Sequence, residues 1–167
     1  PEISAAMGLL GSCLTFADDD LYRHLQHVLV FLGRSRNVGI TFSAYAADGD
    51  TLKMYCDANW NVTRSVTGFC IMLAGAAVVC VSRRQHCITM STCEAELVAL
   101  ADGAIELLHI KAVAEFLGLD VGEAVDVWTD SKAAYDLCHR FTTSQHSRHI
   151  DRKYFKMREL RGAGVVN

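Results

Sequence analysis

Proline is almost absent from this chain, and long apolar runs are missing. The only proline is Pro1, and no apolar run reaches the roughly 18 residues needed to span a bilayer. Seven cysteines are present, but no two form a C-x-x-C pair, which argues against a zinc knuckle or a redox motif. We therefore expect neither a Pro-rich linker nor a membrane span, and we interpret the cysteines as free thiols in a reducing compartment.

The bulk composition is that of one folded domain. With 167 residues, of which 51% are hydrophobic and 21% charged, the chain can bury one core and is short for two. The first residues, Pro1 to Ser4, lack an initiator Met and the basic-then-apolar pattern of a signal peptide. We expect a piece of a longer polypeptide that is not secreted.

The net charge of −3 does not by itself indicate a nucleic-acid-binding protein. Positive charge is nevertheless concentrated between positions 148 and 161. The basic residues there are Arg148, Arg152, Lys153, Lys156, Arg158 and Arg161. Such a stripe can hold phosphates even on a mildly acidic domain, although a solvated helix face would have the same composition.

The first 45 residues are predicted to form a separate layer. An acidic run at 18–20 precedes leucines and valines at helical spacing from Leu21 to Leu32, and Gly33 closes the pattern. The acidic run fits a helix cap and dipole partner better than a metal site. Residues 40–43 predict a short strand, and residues 47–50 predict a turn.

The remaining residues predict the order strand, strand, strand, helix, strand, helix, helix. The predicted strands are 52–56, 67–73, 78–82 and 125–129, and the predicted helices are 91–116, 131–139 and 147–161. A hairpin-like connection at 74–76 joins the second and third strands. This order predicts an α/β domain, in which a mixed sheet contains a three-stranded antiparallel meander and carries helices on its faces.

Four acidic residues are predicted where a strand or helix ends or packs against the sheet: Asp57, Glu96, Asp130 and Asp151. Asp57 and Asp130 each follow a predicted strand, so adjacent strands would bring both carboxylates into one crevice. Either aspartate alone is more often a helix N-cap, but two together with two helical acids favour a metal site. Two Mg²⁺ ions that hydrolyse a phosphodiester need hard oxygen ligands and lie about 3.5–4 Å apart.

Two glutamates compete for the helical position in this set. Ser91 and Glu94 fit a capping box, in which Glu94 reaches back to the Ser91 amide and has a structural role. Glu96 has no capping role, and one to two turns later come Ala99 and Gly103, small residues suited to packing near the sheet. A buried carboxylate there would be costly to leave unpaired, so Glu96 is the better metal ligand.

Six segments together resemble one known family. They are 55–60 (YCDANW), 64–69 (RSVTGF), 82–85 (SRRQ), 91–97 (STCEAEL), 128–131 (WTDS) and 149–154 (HIDRKY). In order and spacing, positions 52–161 resemble the RNase H domain of copia-type LTR retrotransposon Pol polyproteins. Residues 1–45 resemble the connector, a helix and strand, that joins the reverse transcriptase to that domain.

The resemblance implies an RNase H-like fold over residues 46–167 and a D-E-D-D metal set of Asp57, Glu96, Asp130 and Asp151. It supports Glu96 over Glu94, since the family's ligand glutamate precedes a Leu-x-Ala. It implies a ribonuclease H that cuts the RNA strand of RNA–DNA hybrids endonucleolytically during reverse transcription, with two Mg²⁺ ions that Mn²⁺ could replace. The implied partners are the hybrid and the reverse transcriptase of the same polyprotein, with no membrane. The implied location is a cytoplasmic virus-like particle or the nucleus.

Substrate recognition would follow from groove shape, because a hybrid displays 2′-hydroxyls along a shallow minor groove. The candidates for phosphate contacts are Arg83, Arg84, Arg148 and Arg152. Asn59 and Gln85 are candidates for hydrogen bonds to sugars, although a plain surface position is commoner for both. His146 and His149 are auxiliary candidates only, because they lie much nearer to Asp151 than the mobile histidine of the superfamily does.

Two other functions stay open. A catalytically silent nucleic-acid-binding or structural module that tethers a reverse transcriptase would have the same fold. An integrase-like DNA nuclease of the same superfold fits less well. In this sequence Glu96 lies between Asp57 and Asp130, whereas the integrase arrangement has its glutamate last.

Overall fold

A computed structural model describes residues 1–43, 52–139 and 151–167, with residues 151–154 described by their backbone alone. The helices are α1 (Ser4–Ser12), α2 (Asp19–Arg34), α3 (Thr92–Phe116), α4 (Lys132–His139) and α5 (Asp151–Gly162), and the strands are β1 (Lys53–Asn59), β2 (Val66–Leu73), β3 (Ala76–Arg84) and β4 (Asp126–Thr129). The element order predicted from β1 onward is confirmed. Among the described residues, no helix combines the length and apolarity needed to cross a membrane.

The four strands form one mixed sheet in the order β3-β2-β1-β4. The β1–β2 and β2–β3 pairs are antiparallel, and β4 pairs with β1 in parallel. The predicted α/β class and three-stranded antiparallel meander are therefore confirmed. The connection between β2 and β3 is a tight turn at Ala74 and Gly75, whose φ angles are 51° and 76°. Two consecutive positive φ angles are typical of the two-residue turns that match strand twist, and only glycine adopts them without strain.

Helix α3 covers one face of this sheet. Ser91 is its N-cap, and the Ser91 Oγ accepts a hydrogen bond from the Glu94 amide at 3.1 Å. Gly103 faces β1 so closely that a Cβ atom there would lie 2.7 Å from the Met54 Sδ. The helix can approach β1 this closely because position 103 has no side chain. Buried apolar residues of α3, β1 and β2 form the centre of the core, among them Met54, Ile71, Leu97, Leu100 and Leu107.

The N-terminal layer contacts the sheet through α1, which no sequence pattern predicted. The Ser4 Oγ donates to the Cys80 carbonyl at 3.4 Å, and a Cβ atom on Gly8 would lie 2.5 Å from the Ser82 carbonyl oxygen. The backbones of α1 and β3 therefore touch. Helix α2 contacts α1 and has no buried residue. The boundary near residue 45 between a connector and an RNase H-like domain stays a prediction.

Several predicted elements differ from the structure. Residues 40–43 form no strand, although the Ser43 amide donates to the Ala74 carbonyl at 3.0 Å. β-Rich composition alone does not make a strand without a partner. Helix α2 continues past Gly33 and is capped by Ser35. The predicted turn at 47–50 and the predicted start of the last helix at 147 lie outside the described residues.

Candidate metal centre

The parallel pairing of β1 and β4 brings two aspartates to the same end of the sheet. The register pairs Cys56 with Thr129, the last pair of this parallel ladder. Asp57 and Asp130 each lie one residue beyond that pair. Asp57 was predicted to follow its strand, but it belongs to β1 and pairs with Gly68 on β2. The two strands are adjacent, which is the condition under which the sequence places both carboxylates in one crevice.

Glu96 reaches the same place from the first turns of α3. One carboxylate oxygen from each of Asp57, Glu96 and Asp130 lies within 4.8 Å of the other two. Glu96 is only 8% exposed, whereas both aspartates are exposed. Its Oε2 atom is buried and has no hydrogen-bond partner within the described part of the chain. The centre therefore combines two accessible carboxylates with one buried carboxylate that has an unused acceptor.

The buried position of Glu96 beside two aspartates changes the pKa of its carboxyl group. Burial raises the pKa of Glu96 to about 7, and the neighbouring Asp57 and Asp130 add to the rise. A hydrogen bond from the Ala58 backbone acts in the opposite direction and lowers the pKa. The Cys56 thiol also has a raised pKa, mainly from burial and then from Glu96 and the surrounding carboxylates. Negative charge is thus concentrated without a compensating cation among these neighbours, which favours a bound cation.

Glu94 has a different environment although it lies only two residues from Glu96. Its Oε2 accepts a hydrogen bond from the Met90 amide at 2.6 Å, while its own amide donates to the Ser91 Oγ. These bonds satisfy amides at the start of α3. The carboxylate of Glu94 is engaged in capping, and the structure brings Glu96 rather than Glu94 to the two aspartates.

The remaining acidic and basic candidates near the C-terminus are only partly described. Helix α5 begins at Asp151 and packs against α3 and α4, but the side chains of Asp151 and Arg152 lie outside the described residues. The same holds for all of His146, Arg148 and His149. The roles predicted for these five residues stay predictions.

Two of the candidates for nucleic-acid contacts lie on one row of the sheet. Asn59 pairs with Val66 on β2, and Val66 pairs with Arg84 on β3. Both outer residues are exposed, and two strand spacings separate them, which is about 10 Å. Arg83 differs because its guanidinium pairs with Asp102 on α3 at 3.7 Å, and its side chain is 51% exposed. Asn59 and Arg84 are therefore the freer of the described candidates to contact a ligand.

The prediction that Gln85 lies on the surface and contacts sugars is wrong. Gln85 is 1% exposed, and its Nε2 donates to the Thr67 Oγ1 at 3.1 Å and to the Ala95 carbonyl at 2.9 Å. The side chain joins β2 to the start of α3 and supports the helix that carries Glu96. Strand alternation would have revealed this had β3 been predicted to reach Arg84, because Gln85 then continues the phase of Val81.

No family model matches this chain. The chain is 28% identical over 164 residues to a retrovirus-related Pol polyprotein from transposon TNT 1-94 of Nicotiana tabacum, covering 96% of this chain and 12% of that protein. It is 25% identical over 172 residues to the corresponding polyprotein from transposon RE2 of Arabidopsis thaliana, covering 99% and 12%. These homologues of the chain are retrovirus-related Pol polyproteins from plant transposons. The chain spans about 12% of the length of these relatives.

The solved structure of the N-terminal RNase H domain of rv2228c from Mycobacterium tuberculosis has the same fold. The TM-score is 0.51 at 15% sequence identity, and the match covers 71% of this chain and 80% of that chain. The chain therefore has an RNase H-like α/β fold. It is also 31% identical over 117 residues to secreted RxLR effector protein 161 of Plasmopara viticola, covering 66% of this chain and 79% of that protein. Relatives with such different names make a direct test of activity necessary.

Proposed function

We propose that this domain is a ribonuclease H of a copia-type Pol polyprotein that hydrolyses the RNA strand of RNA–DNA hybrids with the help of divalent metal. The convergence of Asp57, Glu96 and Asp130 within 4.8 Å of one another carries the proposal. Three carboxylates at one end of a sheet are costly to assemble without a cation, and the RNase H fold gives such a cluster a chemical purpose. Asp151, at the start of α5, is the proposed fourth ligand.

The donor set fits Mg²⁺ better than a softer metal. All the proposed ligands are carboxylate oxygens, which Mg²⁺ prefers, and it binds them at about 2.0–2.1 Å. Ligand oxygens around one such ion lie about 3–4 Å apart, so an upper separation of 4.8 Å requires shifts of about 1 Å or less. The unpartnered Glu96 Oε2 supplies a buried acceptor that an ion would satisfy. Mn²⁺ accepts the same ligands and could replace Mg²⁺.

Each residue contributes to the reaction through its position. Asp57 and Asp130 extend from paired strands, so their backbones are fixed relative to each other. Glu96 is oriented by the hydrogen bond from Ala58, and a nearby cation favours its ionised form. Divalent metal held by these carboxylates would supply Lewis-acid chemistry, which would activate a water and stabilise charge on the leaving oxygen.

Binding of the hybrid is proposed to use shape and charge rather than base sequence. Arg84 and Asn59 would contact phosphates and sugars beside the carboxylates, and Arg148 and Arg152 would extend the basic surface. Residues 1–45 are assigned to the connector from the reverse transcriptase, which places the nuclease in a polyprotein that makes the hybrid. We assign the location to a cytoplasmic virus-like particle or the nucleus.

The proposal is tested by incubating the purified chain with a labelled RNA–DNA hybrid in Mg²⁺ or Mn²⁺. We expect cleavage of the RNA strand only, and loss of roughly 100-fold or more in Asp130→Asn, because metal stabilisation of the transition state is worth several kcal/mol. Glu96→Gln and Glu94→Gln form a matched pair, and activity should fall much further in the first.

Each alternative gives a distinct outcome in the same experiment. Binding of the hybrid without cleavage, together with calorimetric Mg²⁺ binding that is unchanged in Asp130→Asn, would favour the catalytically silent module. Cleavage of duplex DNA would favour an integrase-like nuclease. A larger loss of activity in Glu94→Gln than in Glu96→Gln would overturn the ligand assignment while leaving ribonuclease activity in place.

A further inference from the structure

Two cysteines face each other across the β2–β3 hairpin. Cys70 on β2 and Cys80 on β3 are register partners. Their Sγ atoms lie 2.9 Å apart, and one thiol donates a hydrogen bond to the other. Both residues are free thiols and only half-buried. Sulfur atoms this close need only a small side-chain rotation to form a bond.

The hydrogen-bond pattern of the hairpin puts these cysteines at the kind of site where a disulfide fits. The Gln85 amide donates to the Ser65 carbonyl at 2.8 Å, so Ser65 and Gln85 face each other at a hydrogen-bonded site. Such sites alternate with non-hydrogen-bonded ones along an antiparallel pair. Cys70 is five positions from Ser65, so the Cys70–Cys80 pair is non-hydrogen-bonded, with Cα atoms about 4.5 Å apart. Disulfides span Cα separations of about 4.4–6.8 Å.

The surroundings of the pair allow a small reagent to reach it. Cys70 follows Phe69 and precedes Ile71, which both pack against α3, so the thiols lie on the opposite face of the sheet. An open concavity of about 330 Å³ on that face is lined by both cysteines and by Ser4 of α1, and it extends to Asp57. A low-molecular-weight disulfide can therefore approach the thiols without unfolding the sheet.

We propose that Cys70 and Cys80 are a redox-modification site that closes to an intrachain disulfide when a low-molecular-weight disulfide oxidises it. The thiolate of one cysteine attacks the reagent, releases one reduced thiol and forms a mixed disulfide. The partner cysteine then attacks the mixed disulfide and releases the second reduced thiol. The protein loses two hydrogens, and the reagent disulfide is reduced to two thiols. The product covalently ties β2 to β3 on the face opposite α3.

The reaction should be slow at neutral pH although its geometry is favourable. Burial raises the pKa of the Cys70 thiol to about 12, and the hydrogen bond with Cys80 contributes to the rise. Exchange requires a thiolate, so each pH unit below that pKa lowers the rate about tenfold. The dithiol is therefore expected to persist in a reducing compartment and to close under sustained oxidation.

The experiment uses a peptide that the sequence supplies. Trypsin cleavage after Arg64 and Arg83 releases residues 65–83, which contain Cys70 and Cys80, no other cysteine and no internal Lys or Arg. The folded 167-residue chain is equilibrated at pH 8 in glutathione buffers of increasing oxidised fraction. Remaining thiols are then alkylated, the chain is digested with trypsin, and the peptide masses are measured by mass spectrometry. We expect the peptide to lose two hydrogens and to take no alkyl group. The concentration of oxidised glutathione at which half of the chains carry the Cys70–Cys80 disulfide should be about 100-fold lower than the concentration that modifies half of the exposed Cys87. The reason is that the second thiol is held in place.

The controls separate the folded geometry from mere closeness in sequence. Denaturant should weaken closure at least about tenfold, and Cys87→Ser should leave closure unchanged. Cys80→Ser should convert closure into a mixed disulfide at Cys70. The proposal is overturned if the native peptide takes up two glutathiones or two alkyl groups at the concentration that modifies Cys87. Equal closure in the denatured chain, or a cross-link between two copies of the peptide, would also overturn it.

Discussion

Replacing Glu96 with glutamine is expected to make the metal-free domain more stable at neutral pH and to abolish its response to Mg²⁺. Burial, with repulsion from Asp57 and Asp130, raises the pKa of Glu96 from 4.5 to about 7. A shift of that size corresponds to about 3 kcal/mol of free energy of unfolding. The folded chain keeps this proton to higher pH than the unfolded chain does, so stability falls as the pH rises from 4.5 to about 7. Above that range the whole penalty is present.

The net effect is smaller than the penalty, because glutamine brings a cost of its own. Its amide would occupy a site where one oxygen has no hydrogen-bond partner among the described residues, at a cost of about 1–2 kcal/mol. The expected gain for Glu96→Gln at pH 8 in EDTA is therefore about 1–2 kcal/mol, or roughly 2–8 °C in Tm. Near pH 4.5 most of the penalty on ionised Glu96 is gone, so the gain should be lost and the cost of the amide should make the variant slightly less stable than wild type. Mg²⁺ at 100 times its Kd stabilises the wild-type chain by about 2.7 kcal/mol and reverses the order.

Thermal unfolding of both proteins in EDTA and in Mg²⁺, between pH 4.5 and 8, measures these differences. Glu94→Gln is the matched control because Glu94 is also buried and lies two residues away. It weakens the capping bond to Met90, should cost about 1 kcal/mol at pH 8 and should keep the Mg²⁺ response. The reasoning is refuted if Glu96→Gln is less stable than wild type in EDTA at pH 8. It is equally refuted if Mg²⁺ stabilises that variant as much as it stabilises wild type.

Four other variants test the fold and the proposed interface. Gly103→Ala places a Cβ 2.7 Å from the Met54 Sδ and should cost about 1–3 kcal/mol by urea unfolding. Gly33→Ala, in helix α2 with open space around it, should instead stabilise by up to about 1 kcal/mol. Gln85→Ala should cost about 2–3 kcal/mol in the same measurement, because it leaves buried partners unpaired. Arg84→Ala should weaken hybrid binding and should lower the slope of log Kd against log salt concentration by the amount expected for about one phosphate contact. The kcat should change less than about twofold. An unchanged salt dependence would exclude Arg84 from the interface.

The order of strands and helices along the chain could be predicted from the sequence because it follows from local patterns, whereas the meeting of Asp57 with Asp130 could be predicted only on the condition that their strands are adjacent. Alternating apolar residues define β1 and β4. With so few strands in the chain, only a few sheet arrangements are possible. Glu96 could be separated from Glu94 because capping has a recognisable local signature. The strands and the cap are decided by interactions within a few residues, whereas the β1–β4 pairing is not.

Features that depend on distant contacts could not be predicted in this way. The burial of Gln85 depends on where α3 crosses β2, and a polar residue after a strand is more often exposed. The contact of α1 with β3 depends on Gly8 allowing two backbones to touch. Residues 40–43 have strand-forming composition, but pairing is set by the partner and not by composition. The pairing of Cys70 with Cys80 likewise depends on the register shift between Ile71 and Met72, because the register at the turn would place Val79 opposite Cys70.

The parallel pairing of β1 with β4 also determines when the carboxylate cluster can exist during folding. Asp57 and Asp130 are separated by 73 positions, so their approach requires closure of a long loop that includes all of α3. The meander can form from local contacts, whereas the β1–β4 pairing is non-local and correspondingly slow. At synthesis rates of about 5–20 residues per second, Asp57 and Glu96 leave the ribosome seconds before Asp130 does. Only a chain that has already added β4 can bring all three carboxylates together, so metal binding there would follow the β1–β4 pairing rather than nucleate it.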